Sequence, residues 1–147
     1  MTDYPNVANA VARFFAAIDA RDWAGAEQLM ARPFHLDYSS FGGGPPAELP
    51  PSAILDGWKK LLPGFDHTHH QLGNLDVEAG RESAVVRCYG TATHVLGLRV
   101  WTVVGTYRVT LRREERSWVL TGLQFNFKYQ AGDLTLAAEA QGRAATR

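Results

Sequence analysis

The sequence predicts an α+β fold: a strongly curved, mostly antiparallel sheet covered by N-terminal helices around a pocket. Three observations lead there. Apolar residues recur at helical spacing only before Gly64. From His67 onward the helical pattern gives way to long alternating runs joined by short turns, an order that favours α+β over a doubly wound parallel sheet. One of those runs carries a row of small residues on one face, and a long bent sheet with such a face, closed by helices, makes a cone or half-barrel with a cavity.

The first helix is expected from about Asn6 to Ala20, where Val7, Val11, Phe15 and Ile18 form an apolar stripe and Pro5 suits the first turn. Asp19, four residues after Phe15, falls at the stripe's edge, near the helix C-terminus, where an acid opposes the helix dipole. Asp22 can cap a second short helix, Trp23 to Met30, and Pro33 ends that unit. Phe34 to Phe41 reads as a short strand with Tyr38 pointing inward, followed by a loop GGGPPAELPPS. Ser52 can cap a third helix, Ala53 to Leu62, stopped by Pro63-Gly64.

The strands follow. His67 to Val77 is expected to be interrupted near Gly73-Asn74, and Glu78 to Arg81 is a turn. Ser83 to Leu96 places Ala84, Val86, Cys88, Gly90, Ala92 and His94 on one face. Arg99 to Arg113 places Trp101, Val103, Tyr107, Val109 and Leu111 together, and Arg112 to Arg116 is a charged turn. Trp118 to Tyr129 is the last strand, with Leu123, Phe125, Phe127 and Tyr129 on a shared face. The domain is expected to span residues 1–130, and residues 131–147 to be a tail, mobile or packed at the pocket mouth or on a partner subunit.

Length and composition suit one globular unit: 147 residues, 46% hydrophobic and 20% charged. Fifteen basic residues balance fifteen acidic ones, so charge gives no reason to expect nucleic acid or an anionic membrane as partner. No run approaches the ~18 apolar residues of a membrane helix, and the start MTDYPNV lacks the features of a signal peptide, so a cytoplasmic location is expected. Cys88 is the single cysteine and reads as a small core hydrophobe.

Four polar residues are candidates for chemistry: His70, His94, Asp19 and Tyr38. If the first helix lies across the sheet mouth, all four converge. An aspartate beside a histidine orients the ring and raises its basicity. A tyrosine hydroxyl can donate to an oxygen that gains negative charge. Each also has a plain structural reading: a loop or carbonyl-bound histidine, a surface acid, a core tyrosine. The cluster His67, His69, His70 does not make a metal site, because an extended strand sends His70 to the face opposite the other two. Nucleotide-binding glycine motifs are missing from the sequence.

The segments AAIDARDWAGAEQLMA (residues 16–31), FHLDYSSF (34–41), THHQLGN (68–74), TATH (91–94) and SWVLTGLQF (117–125), in that order and spacing, resemble the SnoaL-like branch of the NTF2-like superfamily, and within it the scytalone dehydratase type. The resemblance implies an NTF2-like cone-shaped barrel with an enclosed pocket and a homodimer or homotrimer. It matches Asp19, Tyr38, His70 and His94 to pocket residues, while Ile18 stands where the family has a tyrosine. By that resemblance His70 is base and then acid, Asp19 orients it, Tyr38 polarises a substrate carbonyl, and His94 bonds the leaving hydroxyl or the substrate.

The implied activity is a cofactor-independent dehydratase, a carbon–oxygen lyase, or a related isomerase. Its substrate would be a small hydroxylated cyclic or aromatic carbonyl compound, in a pocket walled by Ile18, Trp101, Tyr107, Phe125 and Phe127. No metal or other cofactor is required by that chemistry. Two other readings stay open: a noncatalytic binder of small hydrophobic ligands or accessory protein of the same fold, and an association module using the outer sheet face.

Overall fold

The computed structural model describes residues 3–146. Residues 1, 2 and 147, at the ends of the expected domain and tail, lie outside the described residues. The element order is α1 (Tyr4–Asp19), α2 (Trp23–Gln28), β1 (Met30–Asp37), β2 (Ala47–Leu49), α3 (Pro51–Lys59), β3 (His67–Ala79), β4 (Ser83–Leu96), β5 (Arg99–Glu114), β6 (Ser117–Gly132) and α4 (Leu136–Ala145). Short 3-10 turns at Ser39–Phe41 and Leu62–Gly64 complete the chain path.

The strands form one six-stranded sheet in the order β2-β1-β6-β5-β4-β3. Only β1 and β6 run parallel; the other neighbours are antiparallel. The class is α+β, but the expected cone-shaped barrel is not what forms. The sheet is open, neither closed nor strongly curled: its edge strands β2 and β3 lie at opposite ends of the order with four strands between them. At the β2 end, a three-residue strand set between prolines offers too little ladder for closure. Helices laid on one face cover the apolar rows instead, so a pocket forms without a barrel.

Parity sets what that covered face carries. Ala84, Val86, Cys88, Ala92 and His94 of β4 are buried, as are Trp101, Val103, Tyr107, Val109 and Leu111 of β5. Opposite them α1 buries Val7, Ala10, Val11, Phe14, Phe15 and Ile18. Burying each such large apolar side chain contributes about 1.5–3 kcal/mol, so this layer of helix on sheet is the main source of cohesion. Tyr89, Val100 and Tyr129 remain exposed.

Three local readings shift. Pro33 lies inside β1, which starts at Met30, and the pairing of β1 with β6 is irregular between Met30 and His35 because proline brings no N–H to the ladder. The segment read wholly as loop contains β2, whose Ala47 and Leu49 pair with Leu36 and Phe34; three residues are too few to show alternation. The third helix starts at Pro51, behind Pro50, so Ser52 is inside it and does not cap it. Asp22 does cap α2, its carboxylate accepting from the Gly25 N–H at 2.9 Å. The β3 interruption sits at Asn74, with φ +52° and a register shift between Gly73 and Asp76. After Gly132, α4 packs its Ala140 backbone directly over Gly64.

Candidate active site

Strand register brings the polar residues together. Thr68 lies opposite His94, and His70 opposite Ala92; His94 in turn lies opposite Trp101. Directly opposed residues share a face, and here it is the face under α1. Asp19 is the last residue of α1, whose apolar stripe presses on the sheet and carries the carboxylate onto β3.

The contact there is close. Nδ1 of His70 is 2.7 Å from one Asp19 oxygen, and the other oxygen accepts the His70 backbone N–H, also at 2.7 Å. The two side chains are only 13% and 18% exposed, which sets this pair apart from the chain's solvent-washed ion pairs. Burial by itself would raise the Asp19 carboxyl, but the His70 ring bond and charge, the His70 N–H and the Thr68 hydroxyl outweigh it and hold the carboxyl below its ordinary value. With Nδ1 donating to a carboxylate, Nε2 of a neutral His70 ring is the free acceptor.

A cavity of about 210 Å³ opens beside this pair. His70, His94, Tyr38, Tyr107, Ile18, Trp101 and Phe125 line it, among further aromatic and aliphatic side chains. Gly90 and Gly105 make room for two of its walls: a Cβ at Gly90 would strike the Tyr107 ring, and one at Gly105 the Phe125 ring. Phe15 packs between His70 and Tyr107, with ring centroids 5.3 and 4.9 Å away.

His94 is held differently from His70. Its Nδ1 is 3.0 Å from the Trp101 carbonyl oxygen, which can only accept, so the proton is on Nδ1 and Nε2 keeps its lone pair. Phe65 and Trp101 pack on the ring, with centroids 4.9 and 4.3 Å away. Burial pushes its pKa down to about 4, against a partial offset from the Trp101 carbonyl, so it is uncharged near neutral pH. Tyr38 sits just after β1, beside Phe125, and its hydroxyl neighbours that of Tyr107. Burial raises both phenols, Tyr107 further through Tyr38, so both stay protonated as donors.

Asp19 and His70 touch; His94 and Tyr38 border the same cavity without touching that pair. Ile18, Trp101, Tyr107 and Phe125 are on the cavity wall, and Phe127 is behind it, stacked on Phe41 at 4.8 Å. Sequence reasoning missed Thr68 and Arg21. Thr68 is 7% exposed, and its strand parity with His70 could have placed it on the same face. Arg21 carries φ +60° beyond the helix end, and a lone arginine there gives no pattern to read. Among the described residues no group of three or more His, Cys, Asp or Glu is arranged to hold a metal ion.

The sequence profile of the SnoaL-like domain matches residues 1–124. The chain belongs to the SnoaL-like domain family. Solved structures agree on the fold. The Kfla4162 protein of Kribbella flavida superposes with a TM-score of 0.84 at 22% identity, covering 95% of this chain and 97% of that one. A protein of Novosphingobium aromaticivorans described as a candidate aromatic ring hydroxylase gives 0.78 at 23%, covering 92% and 96%. A candidate scytalone dehydratase of the same organism gives 0.75 at 14%, covering 89% and 87%. No curated protein sequence gives a significant match. At these identities the likeness is one of fold, and function has to be argued from the site.

Proposed function

We propose that this SnoaL-like protein is a cofactor-independent acid/base enzyme that eliminates water from a small, neutral, cyclic or aromatic β-hydroxy carbonyl compound. The observation that carries the reading is the half-buried Asp19–His70 pair, at 2.7 Å, on the rim of a mostly apolar cavity. A histidine held through Nδ1 by a carboxylate has its tautomer and ring plane set, and Nε2 is left to move a proton.

In the proposed step, Nε2 of His70 takes a proton from the carbon α to the carbonyl. The C–H electrons form an enolate, whose oxygen receives a hydrogen bond from Tyr38. The enolate collapses, the β carbon–oxygen bond breaks, and the proton on His70 goes to the departing hydroxyl, which leaves as water. Nothing is oxidised or reduced. His94, neutral and with its Nε2 lone pair, accepts a hydrogen bond from a substrate hydroxyl. Ile18 in place of a tyrosine leaves Tyr38, backed by Tyr107, as the carbonyl's donor. Among the described residues no cationic side chain lines the cavity, which supports an uncharged substrate. Its volume, below the ~300–1,000 Å³ of pockets for drug-sized ligands, supports one or two rings. The fold of the candidate scytalone dehydratase described above is consistent with this class of reaction.

The test is His70→Ala with 3-hydroxy-1-tetralone, whose dehydration creates an aromatic ring that absorbance follows. Loss of turnover, with thermal unfolding and substrate binding retained, is the expected outcome. A variant that dehydrates as fast as the parent removes His70 from the mechanism, and tight binding without turnover in the parent makes the protein a binder.

A further inference from the structure

The guanidinium of Arg21 lies beneath the pair and donates in several directions. Its Nη2 reaches the Leu62 carbonyl at 2.7 Å. Its Nη1 bonds the Thr68 hydroxyl and, at 3.3 and 3.4 Å, the carbonyls of Ile18 and Asp19. The Thr68 hydroxyl lies in turn 3.3 Å from the Asp19 oxygen that His70 Nδ1 also approaches. Thr68 is buried, so water does not substitute for these partners.

Donor and acceptor roles give this chain a direction. Arginine has no acceptor, so the Thr68 oxygen must receive the Arg21 proton. An ionised carboxylate has no donor, so the Thr68 proton must go to Asp19. A cation pulling on the hydroxyl oxygen makes that O–H a better donor. We propose that Thr68, polarised by Arg21, is a positioning residue that fixes the Asp19 carboxylate and limits how strongly it draws on the His70 Nδ1 proton. The inference rests on the reading of Asp19 and His70 as the acid/base pair and adds what controls it.

The geometry separates this role from simple packing. Two donors compete for one Asp19 oxygen, while the other oxygen is tied to the His70 backbone. The backbone bond sets where the carboxylate sits; the hydroxyl sets how it faces the ring. The Thr68 contact is the longest of the three, so it trims the acceptor and does not replace the ring. Arg21 acts on the carboxylate through Thr68, its side chain otherwise being committed to backbone carbonyls at the end of α1 and at Leu62.

The test needs no substrate. Thr68→Val keeps the shape and removes the hydroxyl; Thr68→Ser keeps the hydroxyl. Carbon NMR of the Asp19 carboxyl and nitrogen NMR of the His70 ring are followed against pH in the parent, both variants and Asp19→Asn. In Thr68→Val the Asp19 titration midpoint is expected to rise by about one pH unit, the loss of one hydrogen bond to a charged group. The His70 Nδ1 proton is expected to move downfield as its competitor disappears. Thr68→Ser should restore both values, which a packing role would not do. An unchanged midpoint in Thr68→Val, or a Ser variant that behaves like Val, overturns the role of Thr68 while leaving the pair intact. If Asp19→Asn also leaves the His70 ring signals where they were, the pair itself fails, and the inference with it. Should Thr68→Val not fold, Arg21→Gln, which keeps a donor and removes the charge, carries the test: a parent midpoint in that variant overturns the polarising role.

Discussion

Lowering the pH should destabilise this protein through His94 before it affects Asp19. The His94 ring is 6% exposed, and burial holds its pKa at about 4 against 6.5 for a free histidine. Between those values the unfolded chain binds a proton that the folded chain refuses. Stability from this group is therefore complete above pH 6.5, falls as the pH drops, and levels off below about 4. The whole span, 2.5 pH units at ~1.36 kcal/mol each, is about 3 kcal/mol, and about 2 kcal/mol of it is gone by pH 5. Asp19 has the opposite charge type and a different window: its lowered pKa contributes stability that is lost only as the pH falls through and below 3.8. Urea unfolding followed by tryptophan fluorescence at pH 7.5 and pH 5.0, in the parent and in His94→Gln, isolates the histidine. The stability difference between the two pH values should be smaller in the variant by about 2 kcal/mol, since shared contributions cancel. Equal differences in the two proteins would refute the reasoning. So would a His94 ring resonance in the folded state titrating near 6.5, because it would mean that Phe65 and Trp101 do not exclude water from the ring.

Other outcomes follow from the same site and its walls. Tyr38→Phe should keep the fold and lower turnover of a β-hydroxy ketone by roughly a hundredfold, the scale for losing one oxyanion donor, with KM little changed; steady-state kinetics decides. Gly90→Ala should lower the unfolding free energy by about 1–3 kcal/mol, because the new Cβ strikes the Tyr107 ring in a packed wall; denaturant titration measures it. Cys88 should react with a thiol reagent at pH 8 only in urea: burial raises its pKa to about 11 and the side chain is enclosed, so rapid labelling of the native protein would contradict its position.

Much of the site was legible because its residues obey local periodicities. The His94 row and the Trp101–Leu111 row follow from the period of two along a strand, and burial of both is what the structure has. The α1 stripe follows from the helical period. Asp19 falls at a helix end, where its charge is unfavourable to the helix dipole. Its pairing with His70 is what the resemblance to the SnoaL-like family implies. Tyr38 is different: alternation predicts an inward strand residue, yet β1 stops at Asp37 and Tyr38 reaches the cavity from the turn that follows. Thr68 stayed hidden because a threonine on a strand carries no signal of its own until its neighbours are known.

By itself, then, the sequence determined the α+β class, the helix-first order and the faces of the long strands. These are short-range properties, set by side-chain period, capping and turn chemistry along the chain. Tertiary structure alone decided that the sheet stays open, since closure depends on whether β2 and β3, eighteen residues apart in sequence from Leu49 to His67, ever meet across the width of the sheet, and they do not. It also decided the 2.7 Å contact between Asp19 and His70, the neutral state of His94 between two aromatic rings, and the Arg21–Thr68 chain beneath them. Those are matters of distance and of exclusion from water, and both exist only once α1 has been laid on the sheet.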